Sequence, residues 1–404
     1  MDTSENKNSR GPQCSHSENK GRAGKIIRVT NCLLLNLFIL FFLFTLFSCQ
    51  TRTTFRLGFS TSLTGRGASL GKDLYEGTLL AVEEINKNKG PYQIELLVRD
   101  DGGDKRRALA NAQEFANLGI EAVTGYSTSS IAQSVLPFLE EKGIVLVGAS
   151  ISSPIFDKKD DALFRIVNSS LSEARAVADY IAESSRLPLF IGLYDEDNTA
   201  YAKAWLEAFN ERYQRRGGKV TDPIGFRSIL PPGYPSIIEQ ALKQFNLAEG
   251  LCVAGSSIDT ASFAQAFKKQ VPHGLVAVSG WANNQDLITF GGQAVEGSII
   301  AQSHNPIDTT PAFIQFKERF QDAFGRTPHF GSVHAFEAIQ YLYTALQGRK
   351  KGEPLKEAFK RVRELQGVQR MIRFDTTGDA YRPLFIITIQ SGKFCLLSER
   401  EPEL

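Results

Sequence analysis

The stretch Ala122–Ser153, AVTGYSTSSIAQSVLPFLEEKGIVLVGASISS, contains two short apolar runs, each followed by a turn rich in hydroxyl side chains. The two runs, Ala122–Gly125 and Ile144–Gly148, have the length and the glycine boundaries of buried parallel strands. Between them, residues 131–142 show the apolar spacing of a helix. The stretch therefore predicts strand, helix and strand, with both strands ending at the same edge of a parallel sheet.

Hydroxyl side chains follow both strands at this predicted edge. Ser129 and Ser130 follow the first strand, and Ser150 and Ser152 follow the second. Ser129 and Ser130 also open the helix, whose first amides lack partners within the helix and carry partial positive charge. This pattern predicts a site for a carboxylate, another anion or a zwitterion, with a simple helix cap at Ser129 as the alternative.

Strands and helices alternate on both sides of this stretch. The alternation over 55–167 predicts one α/β lobe, and its renewal over 172–301 predicts a second. Three helices within 311–365 then follow one another without strands, before two strands at 371–374 and 384–389. We therefore expect the chain to cross back, cover the first lobe and then return to complete the second.

The first 49 residues have the composition of a lipoprotein-type signal peptide. Basic residues precede the apolar run Leu33–Phe47, which is short for a transmembrane helix. The following Ser48-Cys49 resembles the end of a bacterial lipobox, so we expect lipidation at Cys49, with an uncleaved membrane anchor as the alternative. Beyond this leader, 40 Lys or Arg residues stand against 41 Asp or Glu residues, a balance that does not recruit nucleic acid.

Several patterns that accompany cofactors, metals or catalysis are incomplete. The glycines of Gly65-x-Gly67-x-x-x-Gly71 depart by one residue from the dinucleotide-binding fingerprint. The acidic run Asp195–Asp197 is open to two interpretations, a metal or amine site and a solvated acidic loop. The histidines lack metal-ligand spacing, and no serine lies in a nucleophile-elbow motif. We therefore expect no enzyme activity, no metal and no cofactor.

Two segments carry a resemblance to a known family. FRLGFSTSLTGRGASLGKDLYEGTLLAVEEIN at 55–86 and LLVRDDGGDKRRALANAQEFANLGIEAVTG at 96–125, with the serine turns, resemble type I periplasmic solute-binding proteins of the leucine/isoleucine/valine-binding group. The resemblance implies two Rossmann-like lobes that close upon a ligand. The implied N-terminal lobe is 54–169 with 303–368, the implied C-terminal lobe is 170–302 with 369–404, and the implied crossovers lie near 168–171, 301–305 and 368–371.

The same resemblance assigns ligand contacts by position. Ser129 and the amides of its helix would bind a carboxylate, joined by the Ser150 backbone and the Ser152 hydroxyl. Leu70 would form a wall against the ligand side chain, and Tyr201 would cover the ligand on closure.

The chain departs from the family pattern at two cleft positions. Ser256 or Ser257 stands where the family has a second tyrosine, and Gly280–Trp281 falls where the family places the acid that pairs with the ligand ammonium. A buried ammonium without a partner is costly. Either Asp259 or Asp286 therefore pairs with it, or the ligand has no ammonium group. Trp281 itself either closes over the ligand or fills a lobe surface.

The function implied is that of a lipid-anchored, monomeric protein of the periplasm or cell envelope. It would bind an amino acid, a small carboxylate or an amide and deliver it to an ABC permease in the inner membrane. A ligand-sensing receptor subunit of the same fold is the alternative. A nucleotide-dependent enzyme, using the glycine loop, is a more distant one.

Overall fold

A computed structural model describes residues 52–184, 186–227 and 233–401. The leader and Cys49 lie outside these residues. Within them the expected alternation of strands and helices is present, and most strands belong to two large sheets. The helices of this described part are all too short or too polar to cross a membrane.

The first lobe is built on five strands and three helices from the first part of the chain. They are β1 (Thr53–Thr61), α1 (Ala68–Lys87), β2 (Tyr92–Asp100), α2 (Lys105–Asn117), β3 (Ala122–Thr124), α3 (Ser129–Glu141), β4 (Val145–Gly148) and β5 (Leu163–Arg165). The strands are parallel and lie in the order β2-β1-β3-β4-β5. Because β3 and β4 are neighbours, the two serine turns lie at the same edge, as the sequence predicts.

The second lobe is built on an eight-stranded sheet. Its elements up to the end of the parallel part are α4 (Ser170–Ala182), β6 (Leu189–Asp195), α5 (Thr199–Arg215), β7 (Lys219–Val220), β8 (Ile224–Phe226), α6 (Gly233–Gln244), β9 (Ala248–Ala254), α7 (Ser257–Gln270), β10 (Leu275–Val278), α8 (Gln285–Gly291) and β11 (Ile299–Gln302). The last two strands, β15 (Leu384–Gln390) and β16 (Lys393–Arg400), join antiparallel beside β11.

Between these parts the chain returns to the first lobe. Its elements there are α9 (Pro311–Phe324), α10 (Phe330–Gly348), α11 (Leu355–Arg361) and a small antiparallel sheet of β12 (Glu364–Gln366), β13 (Met371–Phe374) and β14 (Ala380–Tyr381). Phe316 and Tyr341 share one apolar core with Leu57 of β1. Gly77 lets α10 lie directly against α1, because a Cβ there would collide with the Ser332 carbonyl. The expected return of the chain is confirmed.

Some elements differ from the sequence expectation. The helix expected over 355–365 ends at Arg361, and the residues after it form strand β12. The strand expected over 219–226 is two short strands, separated at Asp222-Pro223, because proline cannot donate a hydrogen bond to a strand ladder. The strand β16 and the helix α8 were not expected.

The last crossover is best located from packing. Ile372 and Phe374 belong to the apolar core of the first lobe, whereas pairing with the second sheet begins at Leu384. The Asn168 side chain donates to the Arg382 carbonyl at 2.7 Å and accepts from the Arg382 amide at 2.8 Å, which ties the first crossover to this point. We therefore propose the last boundary near residue 382, in place of 368–371.

Candidate functional site

A cavity lies between the two lobes, beyond the carboxyl ends of β3 and β4. The space not filled by atoms is about 400 Å³, including its opening to solvent. Its lining residues are Leu70, Ser127, Ser150, Ser152, Val167, Glu173, Asn198, Tyr201, Trp281, Gln302, Phe330 and His334. The structure thus brings together five residues selected from the sequence, namely Leu70, Ser150, Ser152, Tyr201 and Trp281.

Ser129 and Ser130 do not line this cavity, although they lie at its edge. The cap of α3 is Thr128, whose hydroxyl accepts from the Ile131 amide, and Ser129 is the first helical residue. The buried Ser129 hydroxyl accepts from the Ser153 amide at 3.2 Å. The Ser130 amide donates to Oδ1 of Asn198, in the second lobe, at 3.2 Å. A side-chain oxygen of the other lobe therefore occupies the helix start at which the sequence predicts a ligand carboxylate.

The aromatic wall of the cavity comes from the second lobe. The rings of Tyr201 and Trp281 meet edge to face with centroids 6.0 Å apart. The Trp281 amide donates to the Tyr201 hydroxyl at 3.4 Å. Because Tyr201 is buried among the apolar side chains of α5, its ring is fixed by packing as well as by this hydrogen bond.

Ser257 and the two acids considered for a ligand ammonium lie outside the cavity lining. Ser257 is the first residue of α7, which is capped by Ser256. Asp259 accepts from Tyr234 and from Ser256, each at 2.6 Å. Asp286 accepts from the Ser69 hydroxyl at 2.8 Å. Both acids are thus engaged elsewhere.

Glu173, in the first turn of α4, supplies the one carboxylate of the described cavity lining. Its side chain is buried, and the residue is only 4% exposed. Burial removes water from the carboxylate and raises the pKa of Glu173 to about 8. This shift favours the protonated, uncharged form of Glu173 at neutral pH.

Gly280 makes room for this carboxylate. A Cβ at position 280 would lie 2.9 Å from Oε2 of Glu173 and 2.9 Å from the Ala301 carbonyl oxygen. The acid thus reaches, from α4, the place at 280–281 where the family resemblance implies an acid and the sequence has none.

A cluster of charges, the Arg66 bridge, joins the lobes beside a second cleft, which shares Asn198 and Trp281 with the cavity. The Arg66 guanidinium lies 2.9 Å from Asp195, 2.7 Å from Asp197 and 3.0 Å from Asp259. Burial raises the pKa of Asp195 to about 6 even though Arg66 lies beside it. Asp195 and Asp197 therefore partner an arginine of the other lobe, while Glu196 pairs with Arg227 of its own lobe. The described residues contain no group of three His, Cys, Asp or Glu side chains suited to a metal ion.

The glycine loop after β1 is held by acids of the next strand. Asp100 accepts from the Leu63 amide at 2.9 Å and from the Gly102 amide at 2.8 Å. Asp101 accepts from the Ser60 and Ser62 hydroxyls. These bonds are internal to the turn, so they account for both acids structurally.

Sequence reasoning missed Glu173, Asn198, Gln302 and His334. An acid in the first turn of a helix is ordinarily explained by the helix dipole, so Glu173 carried no distinct signal. His334 lies in the middle of the return helix α10, and its pKa is lowered well below the usual value by burial and by Arg382 nearby. Only the three-dimensional return of the chain brings it to the cavity.

Comparison with known proteins agrees with this geometry. The family model described as "Periplasmic binding protein" matches residues 54–393. A Leu/Ile/Val-binding protein homolog 3 from Brucella melitensis is 26% identical over 178 residues, and this match spans 43% of the chain and about half (47%) of that relative.

Solved structures match over most of the chain. A leucine binding protein, LivK, from Thermotoga maritima is 20% identical with a TM-score of 0.78, covering 86% of this chain and 99% of that one. A solute binding protein of an ABC transporter from Rhodopseudomonas palustris, in complex with 3,4-dihydroxybenzoic acid, is 17% identical with a TM-score of 0.76, covering 86% and 98%. At these identities the likeness concerns the fold. The match to the family model over 54–393, together with the two-lobed architecture, shows that the chain belongs to the periplasmic binding protein family.

Proposed function

We propose that this protein is an extracytoplasmic solute-binding protein of an ABC importer, which holds an amino acid, a small carboxylate or an amide between its lobes. The observation that supports this most is the cavity to which both lobes contribute hydroxyl, aromatic and apolar side chains. Relatives and structural neighbours are named for leucine, isoleucine and valine, and three structural neighbours hold benzoate or a hydroxylated benzoate.

The lining suggests how such a solute is held. The Ser152 hydroxyl can donate to a carboxylate, whereas the Ser150 hydroxyl donates to the Ser127 carbonyl. Leu70 and the Tyr201–Trp281 pair enclose an apolar body. A solute that contacts both lobes binds the closed arrangement more tightly than the open one. It stabilises the closed arrangement by the difference between its two binding free energies. In this role the protein is not an enzyme, requires no cofactor and acts as a monomer.

We propose that the leader attaches the protein to a membrane through Cys49. Lipidation at Cys49 would hold the protein at a membrane of the cell envelope, where it would present solute to a permease in the inner membrane. Cys49→Ala is expected to abolish lipid attachment, read by mass spectrometry of the mature protein. Unchanged partition with lipid would favour an uncleaved anchor.

A thermal-shift screen tests the binding function. The panel contains leucine, isoleucine, valine, benzoate, 3,4-dihydroxybenzoate, their amides and NAD. A solute at 100 times its Kd stabilises the folded state by about 2.7 kcal/mol and raises Tm. We expect a shift with at least one amino acid, carboxylate or amide, reduced in Ser152→Ala and retained in Ser262→Ala, which changes an exposed hydroxyl on α7. A shift with NAD alone, or with no member of the panel, would contradict the proposal.

A further inference from the structure

The buried acid in the cavity has no partner of its own. In the part of the chain that the structure describes, no hydrogen bond or ion pair engages the Glu173 carboxylate. Buried carboxylates are normally paired or fully hydrogen-bonded, because an isolated charge loses its hydration. Glu173 instead lines the cavity between the lobes, where a proton, or a cationic group of a bound solute, can serve as its partner.

The surroundings of Glu173 favour a cationic group. The described lining contains no Lys or Arg that could neutralise it. Tyr201 and Trp281 lie in the same wall, and aromatic faces attract ammonium groups. From the other lobe, the Ser152 hydroxyl can donate to a carboxylate, while the Ser127 hydroxyl is hydrogen-bonded to that of Ser62 and the Ser150 hydroxyl donates to the Ser127 carbonyl. The two sides together suit a zwitterion.

Resting on the proposed function, we propose that Glu173 pairs with the ammonium group of an amino-acid solute, and that this pairing releases the Glu173 proton. The carboxyl O–H bond breaks, its proton passes to solvent, and the ammonium keeps its own three hydrogens. Glu173 takes the role of ammonium partner in place of Asp259 and Asp286, because both of these acids are engaged elsewhere.

The proton release follows from linkage. Since burial raises the pKa of Glu173 to about 8, the protonated form predominates at pH 7, and an ammonium beside the acid lowers that pKa. Affinity for an amino acid then rises close to tenfold for each pH unit between about 6 and 7.5. The titratable groups that share the cavity are Tyr201, which burial and Glu173 keep protonated, and His334, which burial and Arg382 keep neutral. Neither changes charge in this range.

Calorimetric titration of the protein with leucine tests this. At pH 7, heats measured in phosphate and in Tris, which differ in ionisation enthalpy, should show release of nearly one proton per leucine bound. Titration with 4-methylpentanoate, which is leucine without its amino group, should show weaker binding and no proton release. Equal affinity for the two solutes, or leucine binding without proton release, would overturn the proposal.

Two variants distinguish loss of the Glu173 carboxylate from a general loss of folding. Glu173→Gln should weaken leucine binding about tenfold or more, through loss of a charged hydrogen bond, while binding of 4-methylpentanoate is kept. Glu183→Gln, at the exposed end of the same helix, should bind leucine like the wild type. If Glu173→Gln does not fold, the two titrations of the wild type still decide the matter. If the wild type binds none of leucine, 4-methylpentanoate and benzoate, the proposed solute-binding function is wrong. If it binds benzoate but not leucine, only the assignment of Glu173 as an ammonium partner is wrong.

Discussion

Replacing Arg66 with Gln removes the cation of the Arg66 bridge between the lobes. Of the three carboxylates that it contacts, Asp195 and Asp259 have side chains that are 0% and 1% exposed, whereas Asp197 is 53% exposed. The exposed pair contributes at most about 1 kcal/mol. Each buried pair would contribute about 1.5–3 kcal/mol as a charged hydrogen bond. Because the Arg66 side chain is itself 42% exposed, solvent screening reduces the total, and we take roughly 2–3 kcal/mol.

This free energy stabilises the form of the protein in which the two lobes touch. If the lobes separate to admit solute, as proposed, water hydrates Arg66 and the carboxylates in the open form, so the bridge stabilises only the form in which the lobes touch. A loss of roughly 2–3 kcal/mol then lowers the ratio of the closed to the open form by roughly 30- to 150-fold, and lowers the affinity for solute by the same factor where the open form predominates without solute.

Calorimetric Kd values and small-angle X-ray scattering measure this effect. Arg66→Gln should bind leucine, or another solute that raises Tm, more weakly by that factor, and its unliganded radius of gyration should be larger or unchanged. Arg186→Gln is the matched control, since Arg186 forms an exposed pair with Glu249 within the second lobe. A folded Arg66→Gln protein whose Kd stays within threefold of the wild type would refute the reasoning.

Three further predictions concern stability. The raised pKa of Glu173 makes the folded state bind an extra proton between about pH 4.5 and 8, so the stability that this proton contributes is complete at low pH and is lost as pH rises. From pH 5.5 to 7, the free energy of urea unfolding of the wild type should fall by about 2 kcal/mol relative to that of Glu173→Gln. Equal pH dependence of the two unfolding free energies would contradict the raised pKa. Glu337→Gln leaves buried Arg382 without its counter-charge at 2.6 Å and should cost about 3 kcal/mol or more, while Glu364→Gln, in an exposed pair, should change stability by less than about 0.5 kcal/mol. Ser129→Ala deprives the Ser153 amide of its buried acceptor and should cost about 1–2 kcal/mol; unchanged urea midpoints would show that another acceptor replaces it.

Much of the fold could be predicted from the sequence, because each parallel strand is a short apolar run followed by a helix of distinct period. The stretch 122–153 contains this unit in full, and its strands β3 and β4 are neighbours in the sheet. The small sheet of β12, β13 and β14 was not expected as a unit. Its strands have two to four residues, too few for a period to be recognised, and their packing depends on contacts with helices distant in sequence.

The site was predicted less completely, because two of its determinants are not local. Leu70, Ser150 and Tyr201 could be found from strand ends and family resemblance. Glu173 becomes a cavity residue only because Gly280, more than 100 positions later, leaves space beside its carboxylate. Asn198 reaches the α3 start only because the lobes touch.

A crystal structure of the protein grown with the solute that gives the largest thermal shift tests the central claim most directly. We predict that the solute lies in the cavity between the lobes, with its apolar part against Leu70 and Tyr201 and a polar group at Ser150 or Ser152. A solute bound elsewhere, such as at the surface of one lobe, with this cavity filled only by water, would contradict the account.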